Sequence, residues 1–233
     1  MTTPAREGER MADIGAALAR AGFRLLGGFA PETGDAVPDI APGGPAAGLM
    51  LVGSLSSELF PHFSQCAEAR DGAPDPLDRH TRRVLTPIAE AAGMTPVFVF
   101  DGPPYHPFQR WALRVGGVSP SPMGLLAHER FGPWLALRAA FLSPERLEAV
   151  APFPGEGPCP PCADRPCMSA CPVGALGPGG YDVPLCLAYL SENPEASCHT
   201  GCLARHACPV GRAHAQGAME GAFHMRAFFK GAF

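Results

Sequence analysis

The chain has 233 residues, of which 46% are hydrophobic, and this is enough for one large or two smaller domains with a hydrophobic core. Glycine and proline contribute 28 residues each, which indicates a folded protein that is rich in loops. The net charge is −4, no long basic run occurs and no stretch of about 18 apolar residues is present, so the composition argues against a nucleic-acid partner and against a membrane span.

Hydrophobic periodicity predicts a first domain in which helices and strands alternate. Helices are expected over 9–21, 56–69, 76–92, 107–115 and 145–150. Strands are expected at 23–29, 48–54, 96–100, 123–128 and 133–142, the last two forming a hairpin. This alternation is typical of an α/β or α+β fold.

The composition changes abruptly around residues 151–158, after which cysteine, proline and glycine dominate. We therefore expect an α/β or α+β domain for a cofactor or substrate over 1–152. A small, loop-rich α+β domain that ends in a helix is expected over 153–233. The first 15 residues lack the apolar run of a signal peptide, so the protein is expected in the cytoplasm, where thiols stay reduced.

The chain has nine cysteines, and their positions are very uneven. Cys66 stands alone in the predicted helix over 56–69, where it is interpreted as a buried apolar residue. All the others lie between residues 159 and 208. In a reducing compartment such crowding indicates metal or cluster ligation rather than disulfides.

These eight cysteines divide into two halves that each end in the letters ACPVG, at 170–174 and 207–211. The first half has the spacing Cys-x2-Cys-x4-Cys-x3-Cys-Pro, close to the bacterial ferredoxin run whose fourth cysteine binds the other of two clusters. We therefore predict two [4Fe–4S] clusters, each with three cysteines of one half and the last cysteine of the other. Cluster A takes Cys159, Cys162, Cys167 and Cys208. Cluster B takes Cys186, Cys198, Cys202 and Cys171.

Other ligand sets are compatible with the same residues. A structural zinc site is the main alternative, because Cys-x2-Cys also suits tetrahedral sulfur coordination. The paired Cys-Pro endings favour iron–sulfur clusters over zinc, and disulfides are the third alternative. His199 and His206 lie among the cysteines and could replace a missing cysteine ligand if a cluster is incomplete. We expect both histidines to lie near the clusters or at the surface without binding iron.

Three segments carry a resemblance to a known family: CPVGAL at 171–176, CLAYL at 186–190 and CPVG at 208–211. Their order resembles epoxyqueuosine reductase and its ferredoxin-like relatives. Upstream, FVFDGPP resembles the strand of that family that ends in Asp-x-x-Pro, with a tryptophan several residues later. The chain departs from the family where GGVSPSPMGLL replaces a Gly-Leu-Gly-Trp-x-Gly-Lys stretch. We also expect it to be without the helical-repeat tail of many members.

The resemblance implies a cobalamin-binding reductase domain followed by a ferredoxin-like domain with two [4Fe–4S] clusters. It also makes Asp101 a candidate catalytic proton donor, the alternative being a strand-end residue that starts a turn. The leading hypothesis is an iron–sulfur protein that passes single electrons through both clusters to a site in the N-terminal domain. Cobalamin is the candidate second cofactor at that site.

Two other functions fit the residues. The first is a ferredoxin-like electron carrier without a reaction of its own, which docks on a partner. The second is a zinc-stabilised interaction module. Both redox hypotheses require a redox partner protein or a small-molecule electron donor, and neither requires a membrane.

Overall fold

The structure, a computed structural model, describes residues 4–40, 43–147 and 155–231. These residues form two compact units, the first from 4–116 and 136–147 and the second from 117–135 and 155–231. Residues 117–135, which we expected in the first domain, therefore belong to the cysteine-rich unit. Of the predicted boundary segment at 151–158, residues 151–154 lie outside the described residues.

The helices are α1 (Pro4–Arg20), α2 (Ser56–Phe63), α3 (Pro76–Ala91), α4 (Phe108–Val115), α5 (Pro166–Ser169), α6 (Val183–Glu192), α7 (Leu203–His206) and α8 (Ala218–Lys230). The strands are β1 (Phe23–Phe29), β2 (Gly48–Leu55), β3 (Thr95–Phe98), β4 (Val118–Pro120), β5 (Leu126–His128), β6 (Leu135–Ser143), β7 (Leu176–Gly177) and β8 (Gly180–Tyr181). Among the helices that the structure describes, none combines the length and apolar character needed to cross a bilayer.

The first unit is built on a sheet with the strand order β1-β2-β6-β3. β1 pairs with β2 in antiparallel register, with Phe23 opposite Ser54. β3 pairs with β6 in the same sense, with Thr95 opposite Leu142. Antiparallel pairing of this kind is typical of an α+β fold, whereas an α/β fold has a mainly parallel sheet. Of the two predicted fold classes, the first unit therefore has the α+β fold.

The core of the first unit confirms the helices predicted over 9–21 and 76–92. α1 contributes Ile14 and Leu18, which lie on one face of the helix and are buried. α3 contributes Leu85 and Ala89 in the same way. Burying one such leucine stabilises the fold by roughly 1.5–3 kcal/mol, so the apolar faces hold both helices on the core.

The second unit has little regular structure apart from short elements. β4 pairs with β5, and β7 pairs with β8, each in antiparallel register. The two four-residue helices α5 and α7 contact each other, and α8 contacts the short 3₁₀ turn Ser197–Thr200. Because it has few paired strands, this unit is stabilised mainly by turns and by a small apolar cluster around Met123, Leu176 and Ala204.

The predicted hairpin between 123–128 and 133–142 is wrong. β5 pairs with the preceding strand β4, whereas β6 joins the sheet of the first unit. The connection between them is a tight turn in which the buried His128 Nδ1 accepts hydrogen bonds from the amides of Arg130 (3.0 Å) and Phe131 (3.4 Å). A side chain therefore closes this turn.

Three further predictions differ from the structure. The strand expected at 96–100 ends at Phe98. Residues 144–147 are not helical, because the Ser143 hydroxyl accepts the amide of Glu145 at 3.1 Å in a local turn, and residues 148–150 of that predicted helix lie outside the described residues. The helix expected over 56–69 ends at Phe63, so Cys66 lies in the following turns.

We predict that His128 makes the protein lose stability on acidification. Burial, reinforced by the charge of Arg130, lowers the pKa of His128 to about 4. Between pH 6.5 and 4 the unfolded chain binds a proton that the folded chain does not, so stability falls as pH falls, by up to about 3 kcal/mol. His128→Asn keeps an acceptor for the turn and should flatten the fall in thermal midpoint, measured from pH 7.5 to 4.5.

The matched control is His62→Asn, because His62 is an exposed histidine. Its pH profile should follow that of the wild type. An unchanged slope in His128→Asn would show that the buried imidazole is not the group responsible.

Candidate metal centre

Four of the predicted ligands, Cys159, Cys162, Cys167 and Cys208, line one cavity of about 510 Å³. The amide of Cys162 donates to the carbonyl of Cys159 at 3.2 Å, which closes the first turn of the loop. Cys167 lies in α5, which begins at Pro166, and Cys208 follows α7. These four cysteines, which come from both halves, are called group A below.

The other four, Cys171, Cys186, Cys198 and Cys202, form a second group, called group B below. Cys186 lies on α6, whose first turn is capped by Asp182, the side chain of which accepts the amide of Leu185 at 2.9 Å. Burial, followed by the charges of Cys202, Cys186 and Cys171, raises the pKa of Cys198. Cys171 and Cys202 of this group pack against the same apolar cluster.

The two short helices place the last cysteine of each half close to cysteines of the other half. α5 and α7 contact each other, and each is followed by one copy of ACPVG. The buried Cys167 of α5 packs with Ala204 of α7, and Cys171 and Cys202 border the same cluster. The structure therefore brings together the same two sets of four that the crossed assignment predicts, while ligation by them stays a prediction.

The chemistry of group A and group B fits a bound cationic centre. Burial raises the pKa of four thiols, Cys159, Cys167, Cys186 and Cys198. A buried thiol without a cation stays protonated, whereas a coordinated iron or zinc ion keeps it as the thiolate. Each group offers four sulfur donors, the number that a [4Fe–4S] cluster or a zinc ion takes.

The spacing of the sulfurs distinguishes between these two centres. Within the described ranges, no three cysteine sulfurs lie within 4.8 Å of one another. Four thiolates on one zinc ion, with Zn–S bonds of about 2.3 Å, would lie about 3.8 Å apart. The thiolates of an iron–sulfur cube bind separate iron corners and lie farther apart. A single zinc ion would therefore require the sulfurs of a group to move closer together.

The two histidines have other partners than a metal in this arrangement. The Nε2 atom of His199 contacts the carbonyls of Leu190 and Asn193, both at 3.1 Å. His206 packs edge-on against Trp134, with ring centroids 4.9 Å apart. Neither histidine forms part of a close donor group with the cysteines among the described residues.

Charged and aromatic side chains hold the segment around α7. The guanidinium of Arg205 donates to the carbonyl of Pro133 through Nε (2.9 Å) and Nη2 (2.6 Å) and stacks over the ring of Trp134 at 4.9 Å. Burial lowers the pKa of Arg205, and the charges of Cys202 and Glu220 oppose that shift. The cation is therefore fixed close to group B.

Cys66 lies in a different environment from the one expected. It is half-buried, and its sulfur lies within 4.8 Å of donor atoms of Glu68 and His80. The guanidinium of Arg83 contacts both of these, with Nη2 3.2 Å from His80 Nδ1 and 3.2 Å from a Glu68 oxygen. Arg83 therefore already supplies the positive charge at this cluster, and Cys66 is separate from group A and group B.

Asp101 closes the turn that follows β3. One carboxylate oxygen accepts the amide of Phe98 at 2.9 Å, and the other pairs with the guanidinium of Arg82. The Arg82 guanidinium also lies over the rings of Phe98 and Phe100. Both oxygens are thus engaged in the turn, as the structural alternative predicted, and proton donation by Asp101 stays a proposal.

No protein-family profile and no curated protein sequence matches the chain. The solved structures that match include a selenomethionine-labelled epoxyqueuosine reductase at 16% identity, over 90% of this chain and 66% of that chain, with a TM-score of 0.47. An epoxyqueuosine reductase with a modified tRNA-Tyr stem loop matches at 15% identity, over 92% of this chain and 67% of that chain, with a TM-score of 0.49. The C. elegans B12-trafficking protein CblC matches at 13% identity, over 98% of this chain and 99% of that chain, with a TM-score of 0.49.

The chain thus spans about two thirds of the length of these epoxyqueuosine reductases, the family that its cysteine segments resemble. One of them holds a tRNA stem loop, whereas the charge of this chain led us to expect no nucleic-acid partner. The absence of a nucleic-acid partner therefore stays a prediction, which the tRNA stem-loop assay proposed for the reductase puts to the test. At identities of 13–16%, function has to be argued from the residues of the chain itself.

The two ACPVG glycines provide a matched test of the packing around group A. Gly174 and Gly211 both have positive φ, 64° and 71°. A Cβ on Gly174 would have nothing within 4 Å, whereas a Cβ on Gly211 would collide with the backbone of Phe131 and Gly132. Gly174→Ala should cost about 1 kcal/mol from backbone strain alone.

Gly211→Ala should cost at least about 2 kcal/mol more, because two backbones cannot separate cheaply, and should lower the bound iron. Thermal midpoints and iron analysis of the two variants check this. Equal losses in both variants would contradict the close approach at Gly211.

Proposed function

We propose that the chain is an iron–sulfur redox protein that holds two [4Fe–4S] clusters, one at group A and one at group B. The observation that carries the proposal is the pair of separate four-thiol groups, each drawn from both halves of the cysteine region. Bound clusters supply one-electron oxidation and reduction. The chain supplies the thiolates, their spacing and a partly buried surrounding.

The surroundings of the thiols support electron transfer rather than a purely structural role. Group A lies in a cavity walled mainly by prolines and by Met123 and Val210, which offer few polar atoms. Burial in such a wall limits water at the sulfurs and adjusts the potential of the centre that they bind. At group B, α8 contributes Phe228, whose ring stacks on Tyr181 at 6.4 Å, and Phe229, which meets His199 edge-on.

The finer proposal is a corrinoid-dependent reductase, in which single electrons pass from a donor through the clusters to a cobalamin held by the first unit. The support for it is the resemblance of the cysteine segments and of FVFDGPP to epoxyqueuosine reductase. In this proposal Asp101 delivers a proton to the substrate. Its carboxylate would first have to leave Arg82 and the amide of Phe98, because both now hold it in the turn.

We predict about eight iron and eight sulfide ions per chain in protein prepared without oxygen, because two cubes are bound. Cys208→Ala and Cys159→Ala should each remove the same cluster, leaving about four irons. Cys171→Ala and Cys198→Ala should each remove the other. Iron analysis and the EPR spectrum of the reduced variants measure this.

Cys66→Ala is the matched control, because Cys66 lies outside both groups. It should keep the full iron content. The crossed assignment fails if Cys208→Ala instead removes the same EPR signal as Cys198→Ala. A colourless protein that holds zinc would point to the interaction module.

A second prediction distinguishes the reductase hypothesis from the electron-carrier hypothesis. Cobalamin added to the cluster-loaded reductase should bind with a saturable change in its spectrum. Asp101→Asn keeps an oxygen for the amide of Phe98, so cobalamin binding and iron content should persist. Turnover of an epoxyqueuosine tRNA stem loop should fall by about 10²-fold or more, the usual cost of losing a general acid.

The matched control is the exposed Asp39→Asn, which should keep full turnover. Full iron content without any cobalamin binding would favour the electron carrier. Undiminished turnover in Asp101→Asn would remove Asp101 from the proposal.

A further inference from the structure

Three donor side chains of different chemistry meet in the first unit. The sulfur of Cys66, a carboxylate oxygen of Glu68 and a ring nitrogen of His80 lie within 4.8 Å of one another. Within the part of the chain that the structure describes, this is the only group of three Cys, His, Asp or Glu donors that lies so close. Glu68 and His80 are 8% and 4% exposed, and Cys66 is half-buried. These three residues are called the Cys66 site below.

The chain builds this site from α3 and from the turns that precede it. His80 lies on α3, whereas Cys66 and Glu68 lie in the turns after α2. Arg79 fastens these turns to α3, because its Nη1 and Nη2 atoms donate to the carboxylate of Asp71 at 2.8 and 2.7 Å. Nη2 also lies 3.4 Å from the backbone carbonyl of Glu68. Contacts other than those of the three donor side chains therefore bring the donors together.

The imidazole of His80 has a fixed orientation and offers an electron pair. Its ring stacks on Phe23 with centroids 6.4 Å apart and meets Phe63 edge-on at 5.7 Å. Its Nδ1 atom lies 3.2 Å from Arg83 Nη2. A guanidinium can only donate hydrogen bonds, so Nδ1 accepts and holds a lone pair. Its Nε2 atom is buried and has no hydrogen-bond partner among the described residues, so aromatic packing sets the ring on that side.

The guanidinium of Arg83 occupies the place of a cation between these donors. Nη2 lies 3.2 Å from His80 Nδ1 and 3.2 Å from one oxygen of Glu68, and Nε pairs with the other oxygen. The side chain of Arg83 is 57% exposed, so it can turn into solvent. A guanidinium has one positive charge and forms no coordinate bond, whereas a divalent metal ion has two charges and can bind all three donors.

We propose that the Cys66 site binds a zinc ion, which takes the place of the Arg83 guanidinium. One thiolate, one carboxylate and one imidazole are all donors that zinc accepts, and they leave a fourth position for water. Donors on a tetrahedral zinc ion lie about 3.3–3.8 Å apart, so a movement of less than about 1 Å by each donor is enough. On binding, the thiol of Cys66 releases its proton to water. The zinc ion then ties the turns after α2 to α3.

This site lies outside group A and group B, so the inference goes beyond the proposed function and does not require it. The test is zinc binding to the cluster-loaded protein without oxygen, in which iron occupies the other eight cysteines. Equilibrium dialysis against micromolar zinc should give about one zinc ion per chain with unchanged iron content. X-ray absorption at the zinc edge should show one sulfur at about 2.3 Å and nitrogen or oxygen at about 2.0–2.1 Å.

Variants of the site distinguish coordination from adventitious zinc. Cys66→Ser and Glu68→Gln should each weaken zinc binding by at least about 100-fold, and Cys66→Ser should also remove the sulfur from the absorption spectrum. Arg83→Met keeps an apolar stem but removes the competing charge, so it should tighten zinc binding by about tenfold or more. The matched control is Glu90→Gln, an exposed residue of the same helix, which should leave zinc binding unchanged.

Each outcome decides for or against the site. Equal zinc binding by wild type and Cys66→Ser overturns the inference, and so does bound zinc with no sulfur ligand or with several. If Arg83→Met binds zinc no more tightly than wild type, zinc does not replace the guanidinium and the inference also fails. If a variant does not fold, the spectrum of the wild-type protein still decides.

The failure of this inference and that of the proposed function are distinguishable. Protein that holds its iron but binds no further zinc overturns the inference and leaves the proposed function standing. Protein that holds no iron, yet binds about one zinc ion more than Cys66→Ser does, overturns the proposed function and supports the Cys66 site.

Discussion

The last cysteine of each half of the cysteine region lies with the cysteines of the other half, and the rest of this unit depends on that constraint. Cys171 and Cys208 each follow a four-residue helix, and these helices contact each other. Neither half contains a complete set of four neighbouring thiols, so in the proposed function neither half binds a cube before the other has folded onto it. Under the proposed function, cluster binding and folding of this unit are therefore coupled, because metal ligands in separate segments stabilise only the assembled chain.

This coupling explains why a segment with so little regular structure is specified. Short ladders and a small apolar cluster bury little surface compared with the sheet and helices of the first unit. Turn-forming prolines, the close approach at Gly211 and the stacking of Arg205 on Trp134 direct the loops. Burial raises the pKa of Cys159 and Cys198, so these thiols favour the protonated state when no cation is bound. In the proposed function, the bound centre supplies the attraction that completes the unit.

The sequence predicts local features of this molecule well and non-local ones less well. The helices at 9–21 and 76–92 follow from a 3.6-residue apolar repeat, and the two sets of cysteines follow from a duplicated motif. The partner of β5 does not follow from its residues, because strand pairing depends on distant segments, and β4 is too short to recognise. Ser119 carries no motif, and only the folded chain brings its hydroxyl to the amide of Cys159.

Diffraction from crystals of the cluster-loaded protein at wavelengths on both sides of the iron absorption edge tests the central claim most directly. The account predicts two separate groups of iron peaks. One is bound by Cys159, Cys162, Cys167 and Cys208, and the other by Cys171, Cys186, Cys198 and Cys202. Iron ringed by the four cysteines of a single half, or a signal at the zinc edge alone, would contradict it.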